Sequence, residues 1–101
     1  MQIPPTFKLF GQTWTIKTGT DKEIDGCLGM CYASSNDILI APYQKYDAVM
    51  QTLLHELLHS IEEKMHLEMT ERQIDCLAVG ILDLFRNNPE LLVVFEPEPE
   101  E

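Results

Sequence analysis

The feature that most restricts the fold of this chain is a pair of histidines four residues apart inside a run of leucines. Positions 55–59 read His-Glu-Leu-Leu-His, and the apolar residues from position 53 to position 61 recur with the period of a helix. Because residues four apart lie on one face of a helix, His55 and His59 can direct their imidazoles at the same point. The pattern predicts an amphipathic helix that can hold one divalent metal ion.

Glu56 completes the sequence His-Glu-x-x-His and lies one step round the predicted helix from His55. From there its carboxylate can contact water at the metal without binding the metal, as a general base does. The simpler interpretation is a surface helix whose polar stripe happens to carry these residues. The neighbouring leucines favour the metal, because a partly buried imidazole needs a partner.

Two acidic residues of a second predicted helix can reach the histidines. If the two helices pack antiparallel around a turn near Met65, Glu71 lies level with His59, and Asp75 lies level with His55. This register predicts Glu71 as a third metal ligand and Asp75 as an outer hydrogen-bond acceptor. Two alternatives stay open: Asp75 is the ligand, or Glu71 only complements the dipole of its helix.

The two motifs together resemble the gluzincin arrangement, in which Glu-x-x-x-Asp follows His-Glu-x-x-His on a later helix. Over residues 36–92 the chain is similar to small phage and prophage metallopeptidase-like proteins of the minigluzincin and ImmA/IrrE type. The resemblance implies a zincin-like fold and a regulatory protein as the target. It also implies one zinc ion held by His55, His59 and Glu71, with Glu56 as the catalytic base and Asp75 as the supporting residue.

The remaining pattern predicts an α+β fold in a single domain, residues 1–95. A small antiparallel or mixed sheet comes first, followed by the active-site helix and a second helix that a capping box of Thr70 and Gln73 begins. Cys76 of the second helix is predicted to lie in the core. Residues 96–101 alternate glutamate and proline and are predicted to form a disordered acidic tail. The expected elements are hairpins within 7–17 and 27–41, a loop over 18–25, helices over about 45–64 and 70–86, and a short helix ending near 92.

Composition narrows the possible partners. A net charge of −10 and a pI near 4.5 count against nucleic acid, since phosphate binding needs a basic surface. No segment has the composition of a signal peptide or of a membrane span, and three cysteines are typical of reduced thiols. We therefore expect a cytoplasmic protein, of a bacterial or phage-infected cell, whose oligomeric state the sequence does not indicate.

The sequence favours a zinc-dependent metallopeptidase that cleaves a peptide or protein substrate. The alternative is a non-catalytic, zinc-stabilised interaction module of phage type, and a third interpretation is a metal-free helical scaffold. Glu56 argues for the enzyme, because a purely structural zinc site closes its fourth position and needs no free base.

Overall fold

A four-stranded sheet precedes three helices in residues 3–20 and 26–99, which are the residues described by the computed structural model. This architecture confirms the α+β class and the expected mixed sheet. The expected loop over 18–25 falls largely on residues 21–25, outside the described ranges. The elements are β1 (Thr6–Leu9), β2 (Gln12–Thr18), β3 (Gly29–Tyr32), β4 (Asp37–Ile40), α1 (Tyr46–Met65), α2 (Glu71–Asn87) and α3 (Glu90–Val94).

The sheet consists of two hairpins joined side by side, in the order β1-β2-β4-β3. Each predicted hairpin is present: β1 pairs antiparallel with β2, and β3 pairs antiparallel with β4. The first turns at Phe10 and Gly11, both at positive φ, as a tight hairpin turn requires. The strands β2 and β4 are parallel, with Thr15 opposite Asp37, so β3 lies at an edge of the sheet.

The core lies between the sheet and α1. Trp14 and Ile38 are fully buried at its centre, and Val49 of α1 packs on them. The ring of Phe7 stacks on Trp14 with 5.7 Å between ring centroids. Burial of each large apolar side chain contributes about 1.5–3 kcal/mol to the free energy of unfolding, so this cluster holds α1 on the sheet.

The helix boundaries follow local sequence signals. The helix α1 ends at Met65, and His66 turns the chain with a left-handed φ of 55°. The predicted capping box at the start of α2 is present: the hydroxyl of Thr70 accepts from the Gln73 N–H at 3.1 Å, and the Gln73 side chain accepts from the Thr70 N–H at 2.9 Å. These caps orient α2 for its return along α1.

The edge strand β3 lies very close to α1. A Cβ atom added at Gly29 would lie 2.7 Å from the Cγ2 atom of Thr52 and 3.1 Å from the Cγ atom of Glu56. No ordinary side chain fits in that space. Glycine at this position therefore allows the edge strand to lie against the helix that carries both histidines.

The expectations for Cys76 and for the acidic tail have different outcomes. Cys76 is exposed, so its predicted place in the core is wrong: the buried positions of α2 are Ile74 and Ala78. Residues 97–99 are exposed and lie outside helices and strands, and the predicted disorder of the tail stays a prediction. In the part of the chain that is described, no helix combines the length and apolar character that a membrane crossing requires.

Candidate metal site

Two imidazoles of α1 face each other at the surface of the domain. The Nε2 atoms of His55 and His59 lie 3.1 Å apart, and the ring centroids are 4.7 Å apart. Both side chains are largely buried, with exposed fractions of 17% and 18%. The two rings approach each other because residues four apart share one face of the helix. Burial of both side chains restricts the rings to that face.

Glu71, at the first position of α2, closes the third side of this group. Its Oε2 atom lies 3.1 Å from the Nε2 atom of His55, and its Oε1 atom lies 2.9 Å from the Nε2 atom of His59. Each of the three residues offers a ligand atom within 4.8 Å of the others. The structure thus brings together the three residues that the sequence predicted as metal ligands.

The outer nitrogen of each ring meets a carboxylate. The Nδ1 atom of His55 lies 2.7 Å from Oδ1 of Asp75, and the Nδ1 atom of His59 lies 2.9 Å from Oε1 of Glu62. When the rings bind a metal ion through Nε2, their protons reside on Nδ1 and each is donated to its carboxylate. Both Nε2 lone pairs then point, with the carboxylate of Glu71, into one small space.

Two imidazole nitrogens and a carboxylate that meet at one point are chemically suited to a metal ion. Two imidazole nitrogens and one carboxylate oxygen match the donors that zinc takes in catalytic sites, where a fourth position stays open. The exposed fraction of the Glu71 side chain is 71%, so the group opens to solvent on that side. The residues present fit one zinc ion with access for a further molecule.

The position of Asp75 bears on whether it could replace Glu71 as the third ligand. Asp75 contacts the outer nitrogen of His55, on the opposite side of the ring from the point where the acceptors converge. A carboxylate in that position orients a ligating histidine. This arrangement favours Glu71 as the ligand and Asp75 as the supporting residue, the assignment that the sequence predicts.

Glu56 lies beside the group without belonging to it. It is buried, with an exposed fraction of 6%, and its Oε2 atom lies close to the backbone of Gly29 on the edge strand. Burial raises the pKa of this carboxyl above its usual range, and Glu71 adds to that effect, although His55 and His59 oppose it. A carboxylate with a raised pKa is a stronger base than an ordinary surface glutamate.

The two histidines differ in their surroundings. Burial alone would lower the pKa of His59, but the hydrogen bond to Glu62 and the charge of Glu71 outweigh it, so the pKa lies above the ordinary value. Protons and metal ions compete for the same nitrogen. Metal binding at His59 is therefore coupled to pH.

Two cavities flank the group along the edge strand β3. One, of about 530 Å³, is bounded by Leu28 and Gln51 and reaches His55 and Glu56. The other, of about 240 Å³, is lined by His55, His59 and Glu71 and is bounded by Met30 and Glu63. No lysine or arginine lines either cavity among the described residues. The surroundings of the group therefore favour neutral or cationic ligands over anionic ones.

Two residues of this site were not predicted from the sequence. Glu62 follows His59 by three residues, a helical spacing that brings it to the same face, but the sequence around it reads as an ordinary charged helix end. Gly29 has no local signal of a close approach, because its neighbour Thr52 lies on a different element. Only packing reveals these roles.

Comparison of the chain with protein-family models, with curated proteins and with solved structures finds no significant match. The similarity to gluzincins therefore stays a prediction from the two sequence motifs. The functional inference depends on the geometry of the site.

Proposed function

We propose that this protein is a zinc-dependent metallopeptidase. The observation that carries the proposal is the convergence of His55, His59 and Glu71 on one point. Two further features support it: a buried carboxylate stands beside the point without entering it, and one side of the group is open. A purely structural site would close its fourth position with protein and would have no use for a free base.

In this proposal His55, His59 and Glu71 hold the ion. When bound, zinc supplies Lewis acidity, which polarises a carbonyl oxygen and lowers the pKa of water. Glu56 accepts the proton of the attacking water on its carboxylate and returns it to the nitrogen of the leaving amine.

The edge strand β3 offers a place for the substrate backbone. In the described sheet β3 has β4 as its single strand neighbour, so its outer edge has no strand partner among the described residues. The same strand borders both cavities beside the histidines. An extended peptide added to this edge would place a peptide bond near Glu56 and side chains in the flanking cavities. We propose neutral or basic peptide segments, including those of a regulatory protein, as the substrate class.

The substitution Glu56→Gln tests the proposal. Glutamine keeps the shape of the side chain and removes the base, so zinc content and thermal stability should remain close to those of the wild type. Cleavage of a peptide library should fall by about 10² to 10⁴-fold. Glu90→Gln, which removes an exposed carboxylate that lines neither cavity, is the matched control and should retain cleavage.

Each contrary result has a definite meaning. Loss of zinc from Glu56→Gln would make Glu56 a ligand and would contradict the proposed base. Equal cleavage by the wild type and Glu56→Gln would trace the activity to a contaminating protease. Zinc binding without cleavage of any peptide would favour the non-catalytic interaction module instead.

A further inference from the structure

Glu62 makes two hydrogen bonds from a buried position near the end of α1. Its exposed fraction is 8%. One carboxylate oxygen, Oε1, accepts from Nδ1 of His59 at 2.9 Å, and the other, Oε2, accepts from the backbone N–H of Met69 at 2.7 Å. A buried carboxylate is costly unless its oxygens have partners, and here each oxygen has one.

The first bond determines which nitrogen of His59 carries the proton. Both ring nitrogens meet a carboxylate, but Glu62 is buried whereas Glu71 is 71% exposed to competing water, so the neutral ring keeps its proton on Nδ1 and presents its lone pair at Nε2. That atom is the one that lies 2.9 Å from Glu71. Asp75 acts on His55 in the same way at 2.7 Å, so each histidine has its own carboxylate.

The second bond acts on the other helix. Met69 directly precedes Thr70, the N-cap of α2, and α2 begins with Glu71. The hydrogen bond from the Met69 N–H therefore fastens the start of α2 to the side chain of Glu62 on α1. This bond limits how far Glu71 can shift relative to His59, since only residues 66–70 join the two helices.

We propose that Glu62 is a positioning residue for the metal site, whose one carboxylate sets the tautomer of His59 and anchors the segment that carries Glu71. The inference rests on the proposed metal-binding function. It adds a residue outside both motifs, and it connects two of the three ligands through a single side chain.

The substitution Glu62→Gln tests this role. Glutamine has one acceptor oxygen and one donor amide, so it cannot accept from both His59 and Met69. In the metal-free protein, at a pH where His59 is neutral, long-range proton–nitrogen NMR spectra of the histidines should show loss of the Nδ1–H tautomer of His59. Competition with a chelator should show zinc affinity about 10 to 100-fold below that of the wild type, the usual effect of an outer-shell change.

Glu68→Gln is the matched control, because Glu68 is exposed in the same connection and the variant has the same charge change. It should keep the tautomer and the affinity of the wild type. Glu62→Asp is a second variant in case the glutamine protein folds poorly. It keeps the negative charge but is one methylene shorter, so it should also bind zinc more weakly than Glu68→Gln.

Two results distinguish failure of the positioning role from failure of the proposed metal-binding function. If the wild type binds zinc, and if Glu62→Gln and Glu68→Gln match it in affinity and in the His59 tautomer, the positioning role is wrong. If the wild type binds no zinc, the proposed function fails and the metal role of Glu62 fails with it.

Discussion

The Oδ1 atom of Asp75 lies 2.7 Å from the Nδ1 atom of His55. This contact places the second acidic residue of α2 behind the histidine, while Glu71 meets the Nε2 atoms in front. The same spacing that carries both carboxylates on one face of α2 thus gives them different tasks. Loss of either should weaken metal binding, but to different degrees.

We expect Glu71→Gln to weaken zinc binding far more than Asp75→Asn. Glu71 supplies an oxygen to the converging group, whereas Asp75 orients a ligand, and outer-shell changes cost about 10 to 100-fold in affinity. Chelator competition on the two purified variants measures both effects. The opposite order of affinities would transfer the ligand role to Asp75.

The pH dependence of stability should differ between the metal-free and zinc-bound proteins. Burial raises the pKa of Glu56. Burial alone would lower the pKa of His59, but the hydrogen bond that His59 donates to Glu62, together with the charge of Glu71, outweighs it, so this pKa lies above its ordinary value. The stability that His59 contributes is fully present below the pKa of this residue in the unfolded protein. It is lost as the pH rises through the pKa of the folded protein, and the raised pKa of Glu56 has an effect in the same direction. The pKa values of Glu62 and Asp37 are lowered, so these two carboxyls titrate at a more acidic pH than His59.

Thermal denaturation at about pH 6 and about pH 8 measures both effects. The contribution of His59 to the melting temperature of the metal-free protein should be smaller at the higher pH. The increase in melting temperature on zinc addition should be larger there, because zinc binds the deprotonated ligands. A larger zinc effect at the lower pH would argue against histidine ligation.

Gly29→Ala should destabilise the protein by about 1–3 kcal/mol, the usual cost of overpacking. The added Cβ atom would lie 2.7 Å from the Cγ2 atom of Thr52. Thr52→Ser removes that methyl group and keeps the hydroxyl that donates to Gln44 at 2.7 Å. The double variant should therefore recover part of the loss in urea denaturation.

Gly80→Ala is the control for the effect of alanine itself. Nothing lies within 4 Å of a Cβ atom added at this helical position, so alanine should stabilise α2 by up to about 1 kcal/mol. Equal stability of Gly29→Ala and the wild type would mean that β3 does not lie as close to α1 as described.

Cys31 should react with alkylating reagents far more slowly than the other two thiols. Burial, followed by the negative charge of Glu56, raises its pKa to about 12, whereas Cys27 and Cys76 are exposed. At about pH 8 only on the order of one Cys31 thiol in ten thousand is ionised, and the thiolate is the reactive form. Mass spectrometry of the native protein should find two rapid adducts, with the third appearing on unfolding. Rapid modification of Cys31 in the native state would contradict this burial.

Features that arise between neighbouring residues could be predicted from the sequence. The two histidines meet because of their spacing on one helix, the capping box starts α2 through neighbouring side chains, and the hairpin at Gly11 follows from a short turn signal. Each of these features depends on interactions between residues close together in the chain. The level of Glu71 and Asp75 with the histidines could also be predicted, because the connection between the helices is short.

Features that join distant segments could not be predicted from the sequence and are seen in the tertiary structure. The parallel pairing of β2 with β4, and hence the edge position of β3, depends on how two hairpins meet. The fit of Gly29 on Thr52, the two bonds of Glu62 and the exposure of Cys76 depend on which helix face the sheet and the neighbouring helix cover. Such contacts leave no local period or cap in the sequence, because their free energy comes from packing between elements.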